Sequence, residues 1–168
     1  MSKLSEFFRN AAPLPPKPET SHVLRAALGG FAAIAALACM ADWSGAALML
    51  GSFGASCVLV FGFPESPFAQ PRNVIAGHFL SSMIGLCCLD FVGPQWWSLA
   101  LAVAIAIAVM MAGRIVHPPA GSNPVIVFLA SSKWSFLFLP TLAGACLLVI
   151  IGIAYNRFIR KRVYPQYW

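Results

Sequence analysis

The sequence HPPAGSNPVIVF at residues 117–128 sets a proline-rich break directly before a short β-branched apolar run. Proline has no amide hydrogen and cannot continue a helix, so these prolines predict unwound backbone followed by a new helix start. Asn123 is placed to cap that helix. The stretch GSFGAS at residues 51–56 precedes a similar apolar run. Both stretches therefore predict a half-helix that begins after a break in a span.

An internal repeat relates the two stretches. A shift of 67 positions aligns GASCVLVF at 54–61 with GSNPVIVF at 121–128, and four of the eight positions are identical. The same shift pairs Gly77 with Gly144. Three crossings in each half place the halves in opposite orientations, which is the inverted-repeat plan of many secondary transporters. Chance agreement among the small apolar residues of membrane helices is the alternative explanation.

Around these stretches the chain has the composition of a membrane protein. Of its 168 residues, 60% are hydrophobic and 10% are charged. The apolar residues fall in runs near the roughly 20 residues that a bilayer requires. The long runs cover residues 23–40, 46–63, 74–92, 97–113 and 136–155. A further run at 124–130 is too short to cross alone.

Charge placement predicts the orientation and the number of crossings. Basic residues cluster at the two ends of the chain: Lys3, Arg9, Lys17, Arg25, Arg157, Arg160, Lys161 and Arg162. By the positive-inside rule both termini are cytoplasmic, which requires an even number of crossings. We therefore expect residues 119–132 to supply a sixth crossing, part unwound and part half-helix. The expected location is the bacterial inner membrane, and this placement of the +6 charge predicts no nucleic-acid binding.

The predicted fold is an all-α membrane protein of about six transmembrane segments. They form two inverted three-segment repeats, and the second segment of each half is broken into a half-helix. We expect a mobile or surface-lying arm at 1–22, a transmembrane domain at 23–156 with repeats at 23–92 and 96–156, and a basic tail at 157–168. The five cysteines lie in apolar segments without metal-ligand spacing, so no metal or cofactor is expected.

The predicted substrate site lies where the half-helices begin. The first amides of a helix lack partners and carry the positive end of its dipole, so two such starts meeting near the midplane would bind a small anion. The predicted substrate-binding residues are Gly54, Ala55, Ser56, His117, Gly121, Ser122 and Asn123. Close packing between helices is the alternative explanation of the glycines and of the break.

The ionisable residues favour an anion as substrate. The acids lie in the arm or near segment ends: Glu6, Glu19, Asp42, Glu65 and Asp90. A cation carrier usually places a carboxylate inside the bundle, so a cation substrate is disfavoured. We expect gating or electrostatic roles for Arg72, Asn73, His78 and Arg114. The arginines serve equally well as lipid anchors, and a histidine beside a break either donates to an anion or satisfies a freed carbonyl.

Further motifs accompany the two stretches: SPFAQPRN at 66–73 and Gly77-His78. With HPPAGSNP at 117–124 they make the chain resemble the HPP family of small integral membrane proteins, named for its His-Pro-Pro motif. The resemblance implies nitrite transport, which is reported for plastid and cyanobacterial members. We therefore expect a transporter of a small inorganic anion in the lipid bilayer.

Other functions remain open at this point. They are a non-transporting structural or assembly subunit, and a channel for another small solute. No Ser, Cys or carboxylate stands at a recognisable catalytic spacing to His78 or His117, so we expect no enzymatic activity. A homo-oligomer is compatible with the sequence.

Overall fold

A computed structural model describes residues 14–168 of the chain, and within them the only regular elements are helices. The helices are α1 (Thr20–Ser44), α2 (Gly51–Gly62), α3 (Pro71–Val92), α4 (Trp96–Ala112), α5 (Asn123–Leu129) and α6 (Leu137–Ile159). Short 3-10 turns, Pro67–Ala69 and Pro118–Ser122, precede α3 and α5. The prediction of an all-α membrane protein is confirmed.

The helices differ in length. Three helices are long and apolar enough to cross a membrane: α1 with 25 residues, α3 with 22 and α6 with 23. The apolar helices α4 and α2 are shorter, and α5 has only 7 residues. Each short helix, α2 or α5, therefore stands between two longer neighbours, as expected of a broken second segment. The count of six crossings and the inverted arrangement stay predictions.

The break before α2 lies earlier than predicted. Residues 45–50 are unwound, whereas α2 begins at Gly51 and continues through Gly54 without interruption. The prediction that GSFGAS is itself the break is wrong. Leu48 and Leu50 are buried while Met49 between them is exposed, which is the alternation of an extended segment. The glycines of GSFGAS therefore lie inside the helix, and the break lies in the extended segment before it.

The region bounds also differ slightly from the prediction. Helix α1 begins at Thr20, so the last residues of the predicted arm are helical. The first 13 residues of that arm lie outside the described residues. Helix α6 continues to Ile159, and the tail beyond it packs against the bundle, where Tyr164 is buried.

Contacts between helix ends bring the two ends of the described chain together. Near the end of α6, the Tyr155 hydroxyl donates to the carbonyl of Arg25 in the second turn of α1, at 2.8 Å. In the tail, the Tyr164 hydroxyl donates to the carbonyl of Ala69, just before α3, at 2.7 Å. The starts of α1 and α3 and the end of α6 therefore share one face of the bundle.

The end of α4 joins the same face, which we call the basic face. Arg72 at the start of α3 donates to the carbonyl of Gly113, directly after α4, at 3.2 Å. At the other end of α3, Trp134 donates from Nε1 to Asp90 at 2.6 Å, which places the start of α6 on the opposite face. The basic face carries Arg25, Arg72, Arg114, Arg157, Arg160, Lys161 and Arg162.

The elements of the second half follow those of the first at an offset of 67 residues. The offset carries α2 onto residues 118–129, which are the 3-10 turn and α5. It carries α3 onto residues 138–159, one residue inside the start of α6. This is the same shift that aligns the sequence with itself.

Glycines at matching positions make matching contacts between the halves. A Cβ added at Gly85 of α3 would lie 3.4 Å from Cβ of Val127 in α5. A Cβ added at Gly152 of α6 would lie 2.6 Å from Cγ1 of Val60 in α2. The offset of 67 relates Gly85 to Gly152 and Val60 to Val127. The last long helix of each half thus packs closely on the short helix of the other half.

Candidate functional site

The starts of the two short helices meet inside the bundle. Ser52, the second residue of α2, donates its hydroxyl hydrogen to Oδ1 of Asn123, the first residue of α5, at 2.8 Å. Ser52 is 4% exposed and Asn123 is fully buried. The two breaks therefore place two helix starts side by side, with their first-turn amides and the positive ends of their dipoles in the same region.

Two histidines face each other across Ser56 of α2. Nε2 of His78 in α3 lies 2.9 Å from Oγ of Ser56, and Nε2 of His117 lies 2.8 Å from the same oxygen. The two ring centroids are 4.9 Å apart, and all three side chains are fully buried. A Cβ at Gly77 would lie 2.8 Å from Cβ of His117, so the glycine next to His78 is what lets His117 approach.

Asn123 joins the histidine pair to α3 and α6. Its Nδ2 lies 3.1 Å from Nδ1 of His78 and 2.9 Å from Oγ of Ser82. The Ser82 hydroxyl is in turn 3.1 Å from Oγ1 of Thr141. The prediction that Asn123 caps α5 is wrong, because Ser122 holds the N-cap position and makes no side-chain cap bond. The amide of Asn123 instead makes hydrogen bonds to buried polar groups. Such groups would be costly to leave unpaired in an apolar bundle.

These side chains form one connected set, which we call the polar network: Ser52, Ser56, His78, Ser82, His117, Asn123 and Thr141. It links α2, α3, α5 and α6 with the segment before the second 3-10 turn. Within residues 14–168, no buried side-chain nitrogen or oxygen lacks a hydrogen-bond partner. The network is therefore both closed to solvent and fully paired.

His117 connects the polar network to a cavity on the basic face. Its Nδ1 lies 2.7 Å from the carbonyl oxygen of Phe68. Phe68 lines a cavity of about 440 Å³ together with Arg72, Asn73 and Arg114. Two guanidinium groups at this cavity give it a positive potential, which attracts anions.

Asn73 holds the segment that lies between that cavity and the polar network. Its Nδ2 donates to the carbonyl of Val116 at 3.0 Å, and its side chain is buried. This bond holds the extended segment before the prolines against α3. His117, the next residue after Val116, has extended backbone with φ −133°, as expected for a residue before proline.

The predicted site residues divide into those the structure brings together and those it does not. Ser56, His78, His117 and Asn123 lie in the polar network, and Arg72, Asn73 and Arg114 line the basic-face cavity. Gly54, Ala55 and Ser122 are exposed and Gly121 is partly exposed. Gly54 lines an apolar groove beside α1, and the Ser122 hydroxyl bonds within its own turn to the carbonyl of Pro119.

Three members of the network escaped the sequence analysis. Ser52 precedes Ser56 by four residues, and Ser82 follows His78 by four, so each lies on the same helix face as a predicted residue. A polar residue at that spacing in an apolar helix is the signal that would have found them. No sequence pattern indicates Thr141, because its partner Ser82 is 59 residues away.

Comparison with known proteins agrees with the motifs. A family model described as HPP, transmembrane region, matches residues 15–165. The chain belongs to the HPP transmembrane family. The structure places the histidine of the HPP motif, His117, in the polar network and its two prolines in the turn before α5. The predicted resemblance is confirmed.

Two similar proteins come from Dictyostelium discoideum, and each is named only as a transmembrane protein. One is 40% identical over 129 residues, which are 72% of this chain and 45% of the relative. The other is 39% identical over 128 residues, which are 71% of this chain and 41% of the relative. This chain therefore spans less than half the length of these relatives. No solved structure matches it.

Proposed function

We propose that this chain transports a small inorganic anion across the membrane, with nitrite as the first candidate. The polar network is the observation that carries the proposal. Polar and ionisable groups inside an apolar bundle are costly, and they commonly mark a substrate path. The groups gathered here are hydroxyls, an amide and two imidazoles. All can donate hydrogen bonds, and none is a carboxylate, so the set suits an anion better than a cation.

The surroundings of the network support the same substrate class. The two short-helix starts contribute the positive ends of their dipoles beside Ser52 and Asn123. On the basic face, Arg72 and Arg114 line a cavity that ends at Phe68, the backbone partner of His117. On the opposite face, a cavity of about 790 Å³ is lined by three serines, Lys133 and Asp90. Each of the two cavities therefore contains at least one cationic side chain, and the cavity on the opposite face also contains a carboxylate.

We further propose that the short helices belong to two inverted repeats. The 67-residue offset of the elements and the matching glycine contacts support this arrangement. In this inverted-repeat arrangement, residues 46–62 and 113–129 each cross the membrane as an extended stretch followed by a half-helix. With α1, α3, α4 and α6 they make six crossings. The clustering of arginines on the basic face favours a cytoplasmic position for that face, in a bacterial inner membrane, and Lys133 is the exception.

A non-transporting assembly subunit is the second candidate. The observation that favours it is the complete pairing of the polar network, which is also what a purely structural lock between helices requires. The two candidates differ in one measurable respect. A structural lock predicts that a network substitution changes stability and nothing else, whereas a transport site predicts a change in flux at unchanged insertion.

The direct test is anion flux in proteoliposomes. We expect purified protein to take up nitrite faster than empty vesicles at neutral to alkaline pH, where the acid is ionised and crosses lipid poorly. Nitrate and formate complete the panel of substrates. Uptake no faster than that of empty vesicles for all three anions, in both directions of a pH gradient, would exclude anion transport.

The first variant to test is His117→Ala. Removing the ring leaves the Phe68 carbonyl without its side-chain partner and leaves Ser56 with only one of its two histidine contacts. We expect flux to fall by about tenfold or more, with normal membrane insertion. Ser122→Ala is the matched control, because its hydroxyl bonds only within its own turn. Wild-type flux in His117→Ala would assign that histidine to structure.

A further inference from the structure

One carbonyl group determines where the hydrogens of the polar network lie. The Phe68 carbonyl can only accept, so Nδ1 of His117, 2.7 Å away, carries a hydrogen. In a neutral imidazole the other nitrogen is then bare. Nε2 of His117 therefore accepts the hydroxyl hydrogen of Ser56 at 2.8 Å. Because a serine has one hydroxyl hydrogen, Ser56 must accept in its other histidine contact.

His78 carries its ring hydrogen on the other nitrogen, Nε2. Nε2 of His78 lies 2.9 Å from Oγ of Ser56 and donates to it, which leaves Nδ1 of His78 bare. That nitrogen accepts from Nδ2 of Asn123 at 3.1 Å. The orientation of the amide is set by the His78 carbonyl, 3.2 Å from the same Nδ2, because a carbonyl cannot donate.

One arrangement of hydrogens therefore satisfies the Phe68 contact of His117 and both histidine contacts of Ser56, with both rings neutral. It is also directional, since each group donates toward Phe68. The remaining contact of Ser56, to the carbonyl of Ser52 at 3.2 Å, is the longest of its three and carries no hydrogen in this arrangement. An ordered chain of imidazole, hydroxyl and imidazole is the kind of path along which a proton moves by exchange of bonds.

We propose that His78, Ser56 and His117 form a proton relay and that the proton is the ion coupled to anion movement, an inference that rests on the proposed transport function. The proton comes from water or from the protonated acid of the substrate, once the Asn123 amide has moved aside. It binds Nδ1 of His78. The Nε2 hydrogen of His78 passes to Ser56, and the hydroxyl hydrogen of Ser56 passes to Nε2 of His117. Counting the O–H bond of the proton donor, three bonds to hydrogen form and three break. The donor is left as hydroxide or as the substrate anion, and one positive charge remains on His117.

The end of the relay explains why it would carry a proton with an anion rather than leak protons. The Phe68 carbonyl accepts a hydrogen bond but cannot pass a proton on. The charge therefore stays on His117 until that ring leaves the carbonyl. An unpaired imidazolium in an apolar bundle is strongly disfavoured, so the charged state becomes accessible only when a counter-charge is present. A substrate anion bound beside the polar network supplies that counter-charge.

In the described part of the chain, no side chain near the two histidine rings supplies the counter-charge, so it must come from the substrate. The titratable group facing each histidine is the other histidine. Helices α4 and α5 contain no titratable side chain, and α2 contains only Cys57, which packs in the apolar core. In α6 the titratable residues are Cys146, Tyr155 and Arg157. Beyond Phe68 the charged groups are Arg72 and Arg114. Within residues 14–168, no carboxylate bonds to either ring.

The transport test records anion uptake and internal pH together. Proteoliposomes containing a pH-sensitive dye are given an inward nitrite gradient at alkaline pH, and the signal of empty vesicles is subtracted. We expect acidification in proportion to nitrite uptake. Nitrite uptake without acidification would overturn the relay while leaving the transport function standing. No uptake at all would instead count against transport.

Ser56 provides the decisive variant. Ser56→Ala keeps the volume but removes the hydroxyl that joins the two rings, so we expect proton uptake to fall by about tenfold or more. Ser56→Thr keeps a hydroxyl and should restore it. Wild-type acidification in Ser56→Ala would overturn the relay, because no other hydroxyl in the described chain bonds to both rings.

A second measurement does not depend on flux. The full chain with ¹⁵N-labelled histidine, reconstituted in bilayers, reports which ring nitrogen carries hydrogen. We expect Nδ1–H on His117 and Nε2–H on His78, both neutral, with His22 as a reference ring bound to the carbonyl of Gly62. The opposite tautomer on His117 or His78 would overturn the relay whatever the transport result.

Discussion

The two short helices end in different ways. The last carbonyls of α2 accept hydrogen bonds from side chains far away in sequence: Phe61 from Arg160, Gly62 from His22 at 2.9 Å, and Val60 from Asn156 at 3.0 Å. The last carbonyls of α5 accept from the amides of residues 130–132, which follow it directly. The last carbonyls of a helix have no partner within the helix and need one elsewhere. Helix α2 obtains them from α1 and α6, and α5 obtains them from its own chain.

The starts of the two helices also differ, because one is set by local residues and the other by distant contacts. Helix α5 follows a 3-10 turn that two adjacent prolines impose locally. Helix α2 follows an extended segment without proline, held because Leu48, Leu50 and Phe53 pack in the core that α6 shares. The comparison teaches that α5 is specified by its own residues, whereas the position of α2 depends on α1 and α6.

The largest expected effect concerns the contact of α2 with α6. A Cβ at Gly144 would lie 2.4 Å from the Phe53 ring and 2.6 Å from the carbonyl oxygen of Leu48. We expect Gly144→Leu to lower the free energy of unfolding by about 3 kcal/mol or more, measured by thermal unfolding in detergent. Gly121→Leu beside α5, where a Cβ meets nothing within 4 Å, is the control and should change it by less than about 0.5 kcal/mol. Equal losses would contradict the comparison.

The next effect concerns the end of α2. Arg160→Met keeps a long side chain but leaves the Phe61 carbonyl unpaired, so we expect a loss of about 2 kcal/mol in the free energy of unfolding. Arg162→Met serves as the control. Its ion pair with Glu65, 2.7 Å long, is half exposed, and such pairs contribute about 0–1 kcal/mol. A variant at Arg160 as stable as the Arg162 control would mean that α2 needs no distant cap.

The smallest effect tests where the two helices meet. Ser52→Ala and Asn123→Ala, made singly and together, should show a coupling free energy of about 1 kcal/mol in thermal unfolding. Ser52→Ala combined with Ser122→Ala should be additive, because those two hydroxyls have separate partners. Additivity in the first pair would show that the bond between the helix starts contributes nothing to stability.

Sequence reasoning found the parts of the site that lie next to a local signal. His117 and Asn123 flank the prolines, and His78 is one of two histidines within the apolar segments, so each was predicted from its neighbours or its chemistry. The amides around Gly54 and Gly121 were predicted to bind the substrate. The structure places those two glycines outside the polar network, and Gly54 inside an unbroken helix. A glycine permits a break but does not cause one.

The sequence by itself determined that this is an all-α membrane protein of the HPP family, with a break before α5, because hydrophobic run length and proline act locally. Only the tertiary structure decided that α2 begins at Gly51, that Ser52 meets Asn123, and that Ser56 joins two histidines. Ser52 and Asn123 are 71 residues apart, and the two contacts of Ser56 span 22 and 61 residues. Contacts over such separations depend on how the helices pack, which no local pattern records.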